Sequence, residues 1–376
     1  MKLTVTQANA KSVIAALTNN IMRAGHKQGM RVTINADRER GTVWTTATGT
    51  GSIVTRVTVP DAEVIEGGTV ALDAVALDKV IKALPKRNTI EFAENGKSLR
   101  YSVQGTSISG RFETYNDDSP QVTLSEEKPI AIATMGTEIL ARLIDSTLYA
   151  VSKEDDRPIL KGVCVECIDA NNSVTFASVD GYRLGAAETH AMVCNTANCV
   201  IPGDGLKLVR KLLPKKDAGK VTLFVYDGYV RFTFGDFEIN AKTLEGDFVQ
   251  WRDFFPAKSS TVAHNVDRTA LIDALKRVIA VGSTRAEYSI DADGLMVSTA
   301  VDSASLCEML PASVRTVHGL RITLNAHYMI DALSAMMSEK VTLSFNDPVK
   351  PCVIVDAEHA QRALILPIMV QGTQAA

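Results

Sequence analysis

The sequence predicts an α+β protein of three similar domains, each made of two strand–helix–strands units. Three observations lead there. The segment LDAVALDKVIKALP from Leu72 returns about 129 residues later as IPGDGLKLVRKLLP from Ile201, and each is followed by an alternating, strand-like run. Those runs are TIEFAENGKSLRYSV and KVTLFVYDGYVRFTF, and a weaker third copy, TLNAHYMIDALSAMMSEKVTLSFNDPVKPCVIV, starts at Thr323. A different unit precedes each copy: LTVTQANAKSVIAALTNNI from Leu3, IAIATMGTEILARLIDSTLYAV from Ile130 and VAHNVDRTALIDALKRVIAVG from Val262. Finally, the 376 residues divide into three lengths of about 125, an ordinary domain size.

Each unit opens with a short strand and passes into a helix with one apolar stripe. Leu140, Leu143, Ile144 and Leu148 mark that stripe in the second domain, and Leu271, Leu275, Val278 and Ile279 mark it in the third. Strand pairs follow, GVCVECIDANNSVTFASVD and YSIDADGLMVSTA among them, with Asn-Asn and Asp-Gly turn signals between the strands. The polar run Glu113 to Pro129 reads as one linker. Glu245 to Ser260, anchored by Phe248, Trp251, Phe254 and Phe255, reads as the other. The expected domains are 1–118, 129–246 and 260–376, with sheets outside and helices gathered on one side.

Apolar residues form 46% of the chain and charged residues 22%, which suits buried cores and excludes a disordered tail. Forty Lys and Arg against 43 Asp and Glu give a net charge of −3, which excludes a uniformly basic nucleic-acid coat. The opening has no apolar signal region and no stretch of eighteen apolar residues occurs, so a cytoplasmic protein is expected. Six cysteines are too dilute for a disulfide scaffold, and free thiols are expected.

Positive charge is nevertheless segregated. In the helix after Leu72, Leu77, Val80, Ile81 and Leu84 share one stripe while Lys79, Lys82 and Lys86 fall on another. Its counterpart sets Leu206, Val209, Leu212 and Leu213 against Lys207, Arg210, Lys211, Lys215 and Lys216. On one helix this pattern is usually a solvated face. Repeated on equivalent helices that stack side by side, it lines a surface that phosphates can track. The third copy, HYMIDALSAMM, carries no Lys or Arg.

Other signals are weak. Cys164 and Cys167 sit in one alternating strand at a spacing that turns their side chains to opposite faces, so a zinc site with Cys194 and Cys199 is disfavoured. The ATGTGS run around Gly49 and Gly51 lacks the Lys-Ser or Lys-Thr of a phosphate loop. Asp291 to Gly294 reads as a hairpin turn rather than a calcium loop. No cofactor and no catalytic residue is expected.

Four segments in order, RPILKG from Arg157, SVDGYRLG from Ser178, LEGDFVQWRDFFP from Leu244 and LILPIM from Leu364, give the chain its resemblance to the bacterial DNA polymerase III beta sliding clamp family over essentially its full length. The resemblance implies the DNA clamp fold, helices lining a central hole, and a ring-shaped head-to-tail homodimer around double-stranded DNA bound without sequence preference. It implies a non-catalytic processivity factor that tethers a DNA polymerase and is served by a clamp loader, both through short linear peptides, with no membrane partner. Twelve helices about 9 Å apart leave a hole of roughly 23 Å, enough for a duplex on the order of 20 Å wide, whereas six leave about 6 Å.

Carried over residue by residue, the DNA-facing cations are Arg23, Lys79, Lys82, Lys86, Arg142, Lys207, Arg210 and Lys211. The implied dimer contact sets Ile108 against Ala280 and Val281. The implied peptide pocket holds Leu160, Val179, Gly181, Tyr182, Arg183 and Leu184, the linker residues Val249, Asp253 and Phe254, then Asn325, Tyr328, Leu364, Ile365, Leu366, Pro367, Ile368 and Met369. Three departures bear on peptide choice: Tyr182 stands where His is usual, Val249 where Pro is usual and Asp253 where Arg is usual. The last change disfavours an acidic peptide and favours a neutral or basic one. The tail from Val370 to Ala376 extends past the family's usual end, and a phage, plasmid or divergent origin fits these departures. The rival reading is an enzyme acting on nucleic acid from the same scaffold, with a site near Asp180, Arg183 and Trp251.

Overall fold

Every helix in the computed structural model grows directly out of a strand, as the repeated units predict. The structure describes residues 1–21, 31–47, 52–115, 128–154, 156–214, 219–292, 294–316 and 319–369. Helix α1 (Gln7–Ile21) follows the strand Lys2–Thr6, and α2 (Ala74–Ala83) follows Gly68–Asp73. Likewise α3 (Thr137–Asp145) follows Ala131–Gly136 and α4 (Gly203–Leu212) follows Ala197–Pro202. The pattern ends with α5 (Arg268–Ala280) after Thr261–Asp267 and α6 (Ala326–Ala335) after Leu320–Asn325. At three of these junctions the last strand residue is the helix cap. The Asp73 carboxylate accepts from the Ala76 N–H, Asp267 from Ala270, and the Asn325 side chain from His327 and Tyr328. A side chain that satisfies an orphan N–H at the first turn fixes where strand periodicity gives way to helical periodicity.

Two boundaries differ from the sequence reading. Helix α3 stops at Asp145, so Leu148 is not the next rung of its stripe but opens a 3-10 turn, Leu148–Ala150. Helix α2 stops at Ala83 ahead of Pro85, which leaves Lys86 in the following turn beside Arg87, at φ 75°.

The chain packs into two compact units, Met1–Thr137 with Leu208–Thr243, and Glu138–Lys207 with Leu244–Ala376. In the first, a five-stranded sheet runs Glu63–Glu66, Lys2–Thr6, Thr89–Asn95, Ser98–Val103 and Ser109–Glu113, the last at its edge. A second sheet joins the strands Ala131–Gly136, Lys220–Tyr226, Tyr229–Phe234 and Phe237–Lys242 to Ile53–Thr58, Gly41–Ala47, Arg31–Asp37 and Gly68–Asp73. Its seam is the antiparallel pairing of Ile239 with Thr55 and of their neighbours. Helices α1 and α2 pack on each other over a core of Leu3, Ile14, Leu17, Trp44, Leu77 and Phe92.

The other unit repeats the device. One sheet runs Ala197–Pro202, Gly162–Ile168, Ser173–Val179, Arg183–His190, Gln361–Ile365, Cys352–Asp356, Lys340–Phe345, Thr261–Asp267 and Ser313–Thr316, its seam pairing Leu184 with Leu364. A four-stranded sheet runs Ala304–Leu310, Gly294–Val301, Arg285–Asp291 and Leu320–Asn325. The Asp291–Gly294 pairing makes the hairpin read from the sequence, with Asp293 outside the described residues. Helices α5 and α6 close over Leu275, Tyr288, Met329, Leu333 and Phe345.

Candidate functional site

Strand register alone assembles the apolar cluster in the second unit. Val179 lies opposite Leu184, Leu184 opposite Leu364, and Leu364 opposite Val353, so these residues share one sheet face. Leu160, from the 3-10 turn Pro158–Lys161, completes the cluster with Ala177, Ala186 and Trp251; Val249, Phe248 and Phe255 pack at its margin. Of the expected pocket residues, Leu160, Val179, Leu184, Val249 and Leu364 therefore come together. Ile365 does not: one step along the strand it points to the opposite face, into the core with Cys352 and Ile354. Trp251 and Val353, which the sequence reading did not place in the pocket, belong to the cluster. Only the strand partners reveal Val353.

Segments adjoining the cluster in sequence expose large apolar side chains. Tyr182 is 60% exposed, Met369 66%, Phe254 47% and Leu366 40%. The turn that presents Tyr182 contains Gly181 at φ 94°, a left-handed conformation suited to glycine, and the Asp180 carboxylate accepts the N–H groups of Tyr182 and Arg183 at 2.9 and 3.0 Å. The Leu366 N–H donates to the Tyr182 carbonyl, and the Ile368 N–H to that of Thr323, which fixes the chain on either side of Pro367. Asp253 is exposed in the 3-10 turn Trp251–Phe254, beside Arg252, whose guanidinium forks onto the Glu166 carboxylate and lies over the Trp251 ring.

Arg183 is buried, not presented. Its Nε donates to Asp180 at 2.8 Å and its second nitrogen to Asp331 at 2.6 Å, while its plane lies 4.5 Å from the Tyr328 ring centre and 5.5 Å from that of Tyr149. Burial pulls the guanidinium pKa down, but its hydrogen bonds to the Asp331 and Asp180 carboxylates outweigh that and hold it above its ordinary value. Asn325, expected beside the pocket, works as the cap of α6 and so sets where Tyr328 starts.

The basic residues divide into groups. Lys79 and Lys82 are exposed on α2, opposite the buried Leu77 and Ile81, and Lys86 is exposed beyond its end. Lys82 also pairs at 2.6 Å with Asp78, a carboxylate buried on the same helix. On α4, Lys207 is exposed and pairs with Asp204, Lys211 is exposed, and Arg210 is half-buried. Arg142 departs from the expectation: its guanidinium donates to the main-chain carbonyls of His359 and Glu188, committing it to internal ties. Burial pushes its pKa down despite the nearby Asp356. Arg23, Lys215, Lys216 and the tail from Val370 lie outside the described residues.

The segment expected at a dimer contact shows an exposed Ile108 immediately before the edge strand Ser109–Glu113, an exposed Ala280 at the end of α5, and Val281 as that helix's C-cap. Of the set-aside thiols, Cys164 and Cys167 are buried and their pKa values pushed up by that burial, to about 12 and about 11.

Solved structures share this architecture. A DNA polymerase III beta subunit from Eubacterium rectale superposes with a TM-score of 0.87 at 19% identity, covering 98% of this chain and 99% of that one. The DNA polymerase sliding clamp of Bacillus subtilis gives 0.86 at 20% identity, with coverages of 98% and 99%. The fold is therefore that of a DNA sliding clamp. The central-domain profile of the DNA polymerase III beta subunit matches residues 134–250 and the C-terminal-domain profile matches 252–369. The beta sliding clamp of Streptomyces coelicolor is 28% identical over 335 residues, spanning 84% of this chain and 86% of that protein. That of Synechococcus elongatus is 22% identical over 326 residues, spanning 83% and 84%. The chain belongs to the bacterial DNA polymerase III beta sliding clamp family, whose members serve the polymerase as a non-catalytic processivity subunit.

Proposed function

We propose that two copies of this chain close head-to-tail into a ring around duplex DNA, so that a polymerase held on the ring stays at its template. The observation that carries this reading is the repeated seam. Each unit joins consecutive segments by continuous antiparallel pairing, at Ile239–Thr55 in one and Leu184–Leu364 in the other. The edge strands Ser109–Glu113 and Ala304–Leu310 offer the same kind of bonding to a second copy. Ile108, Ala280 and Val281 supply apolar contact beside that seam, and each chain carries three domains at about 1–118, 129–246 and 260–376.

In this reading Lys79, Lys82, Lys86, Lys207, Arg210 and Lys211, with Arg23, meet phosphates without reading bases. Such contacts exchange quickly, so the ring slides while closure prevents escape. The cluster of Leu160, Val179, Leu184, Val249 and Leu364, rimmed by Gly181, Tyr182, Phe254, Tyr328, Leu366, Pro367, Ile368 and Met369, takes a short apolar peptide from the polymerase or the clamp loader. Tethering then raises the polymerase's effective concentration at the primer end. Asp253 at the rim favours neutral or basic flanks on that peptide. Among the described residues no helix is long and apolar enough to cross a membrane, and a cytoplasmic site of action fits replication. The test is product length on primed circular single-stranded DNA with the cognate polymerase, loader and ATP. Longer products per binding event support the reading, and unchanged lengths contradict it.

A further inference from the structure

We infer that Asp331 is a positioning residue for peptide capture, acting through Arg183 on the tyrosines at the pocket rim; this rests on the pocket reading above. Arg183 starts a strand whose next residue, Leu184, belongs to the apolar cluster, whereas Asp331 and Tyr328 sit one turn apart on α6. The 2.6 Å contact between Arg183 and Asp331 therefore ties the sheet that floors the pocket to the helix that carries a rim tyrosine.

The rest of the arrangement gives that tie its purpose. A guanidinium held by both Asp180 and Asp331 keeps its central carbon over the Tyr149 and Tyr328 rings, within reach of cation–π attraction to each. Tyr328 in turn neighbours the exposed Tyr182, their ring centres 6.2 Å apart. Tyr149 is anchored separately, its hydroxyl donating to the Leu184 carbonyl at 3.2 Å. Tyr328 carries no such hydroxyl contact among the described residues; its ring packs against the core beneath α5 and α6, and Arg183 is the charged contact that adds to that packing. Asp331 itself is half-exposed and joins no apolar cluster. Removing its charge frees one end of the guanidinium, leaves the Asp180 end intact, and lets the rim tyrosines sample conformations that do not accept a peptide. Affinity then falls by the fraction of time the competent arrangement is lost.

The experiment uses full-length protein and two fluorescein-labelled hexapeptides with two leucines and a terminal phenylalanine, chosen to suit an apolar floor and an aromatic rim. One has neutral flanks and the other a lysine. Anisotropy gives Kd for the wild type, Asp331→Asn, Asp331→Glu and the control Asp273→Asn, which removes a charge of the same sign from α5. Melting temperatures are taken in parallel. The expected result is a loss of about tenfold for Asp331→Asn, equal for both peptides. Asp331→Glu should recover most of it, Asp273→Asn should lose nothing, and melting should stay within about 2 °C throughout. Unchanged affinity in Asp331→Asn overturns the role. A loss confined to the lysine peptide overturns it differently, since Asp331 would then touch the ligand directly. A loss tracking a large fall in melting temperature, without recovery in Asp331→Glu, reduces Asp331 to a stabilising residue and also overturns it. Failure of the wild type to bind either peptide defeats the pocket reading, and the positioning role with it.

Discussion

Lys79 and Lys82 look equivalent in the sequence but differ in the structure. Lys82 neutralises Asp78, which is buried on α2 and whose other carboxylate oxygen has no partner among the described residues. Lys82→Ala should therefore lower stability in urea by about 1 kcal/mol while Lys79→Ala stays within about 0.5 kcal/mol of wild type. Both should weaken retention on DNA at low salt if, as proposed, each meets a phosphate. Equal stabilities for the two variants would contradict the distinction. A second residue-scale test concerns Asp356, buried at the end of its strand. Burial raises its pKa, but the main-chain and side-chain donors of Ser338 and the N–H groups of His359 outweigh that and hold the carboxyl below the usual carboxylate range. With a folded pKa below the unfolded one, its stabilising contribution is complete above the unfolded value near 3.9 and is lost as pH falls through the folded value. Urea midpoints measured on acidification from about pH 5 to 3 should thus fall more steeply for the wild type than for Asp356→Asn. Parallel curves would contradict it.

At the scale of elements, the cap at Asn325 carries two duties, since it starts α6 and sets the position of Tyr328. Asn325→Ala should cost about 1 kcal/mol by thermal or urea unfolding and Asn325→Ser much less. The edge strand Ser109–Glu113 offers another test. Replacing the neighbouring exposed Ile108 by Arg should leave the fold intact, and sedimentation should report a mass near 40.5 kDa where the wild type gives twice that. A wild-type mass of one chain would contradict the proposed seam. Elements were also where the sequence was most legible. Strand-to-helix switches are written locally, in a change of hydrophobic period that repeats along the chain, so all six units could be read. The early stop of α3 was not legible, because its apolar spacing continues to Leu148 although the helix does not. Parity along Gln361–Ile365 was hidden for a different reason. Both Leu364 and Ile365 are apolar because both sheet faces are covered, and no alternation marks which one joins the apolar cluster of Leu160 and Leu184. Arg142 and Asp331 were misjudged or missed because their partners, His359, Glu188 and Arg183, are 46 to 217 residues away in sequence.

For the whole molecule, the fold class follows from repetition, and the proposed function follows from closure. A chain with net charge −3 gains little from a uniform attraction to DNA, and in the proposed ring a few exposed lysines on α2 and α4 would give contacts weak enough to slide, leaving residence to topology. The direct test is to load the protein onto nicked circular DNA with its clamp loader and ATP, remove the loader, and cut the circle once. A closed ring should reside stably on the circle and be lost rapidly once free ends exist, at a rate that blocking the ends restores to the slow value. Equal lifetimes on circular and linear DNA would show that the protein is held by affinity, and would contradict the ring.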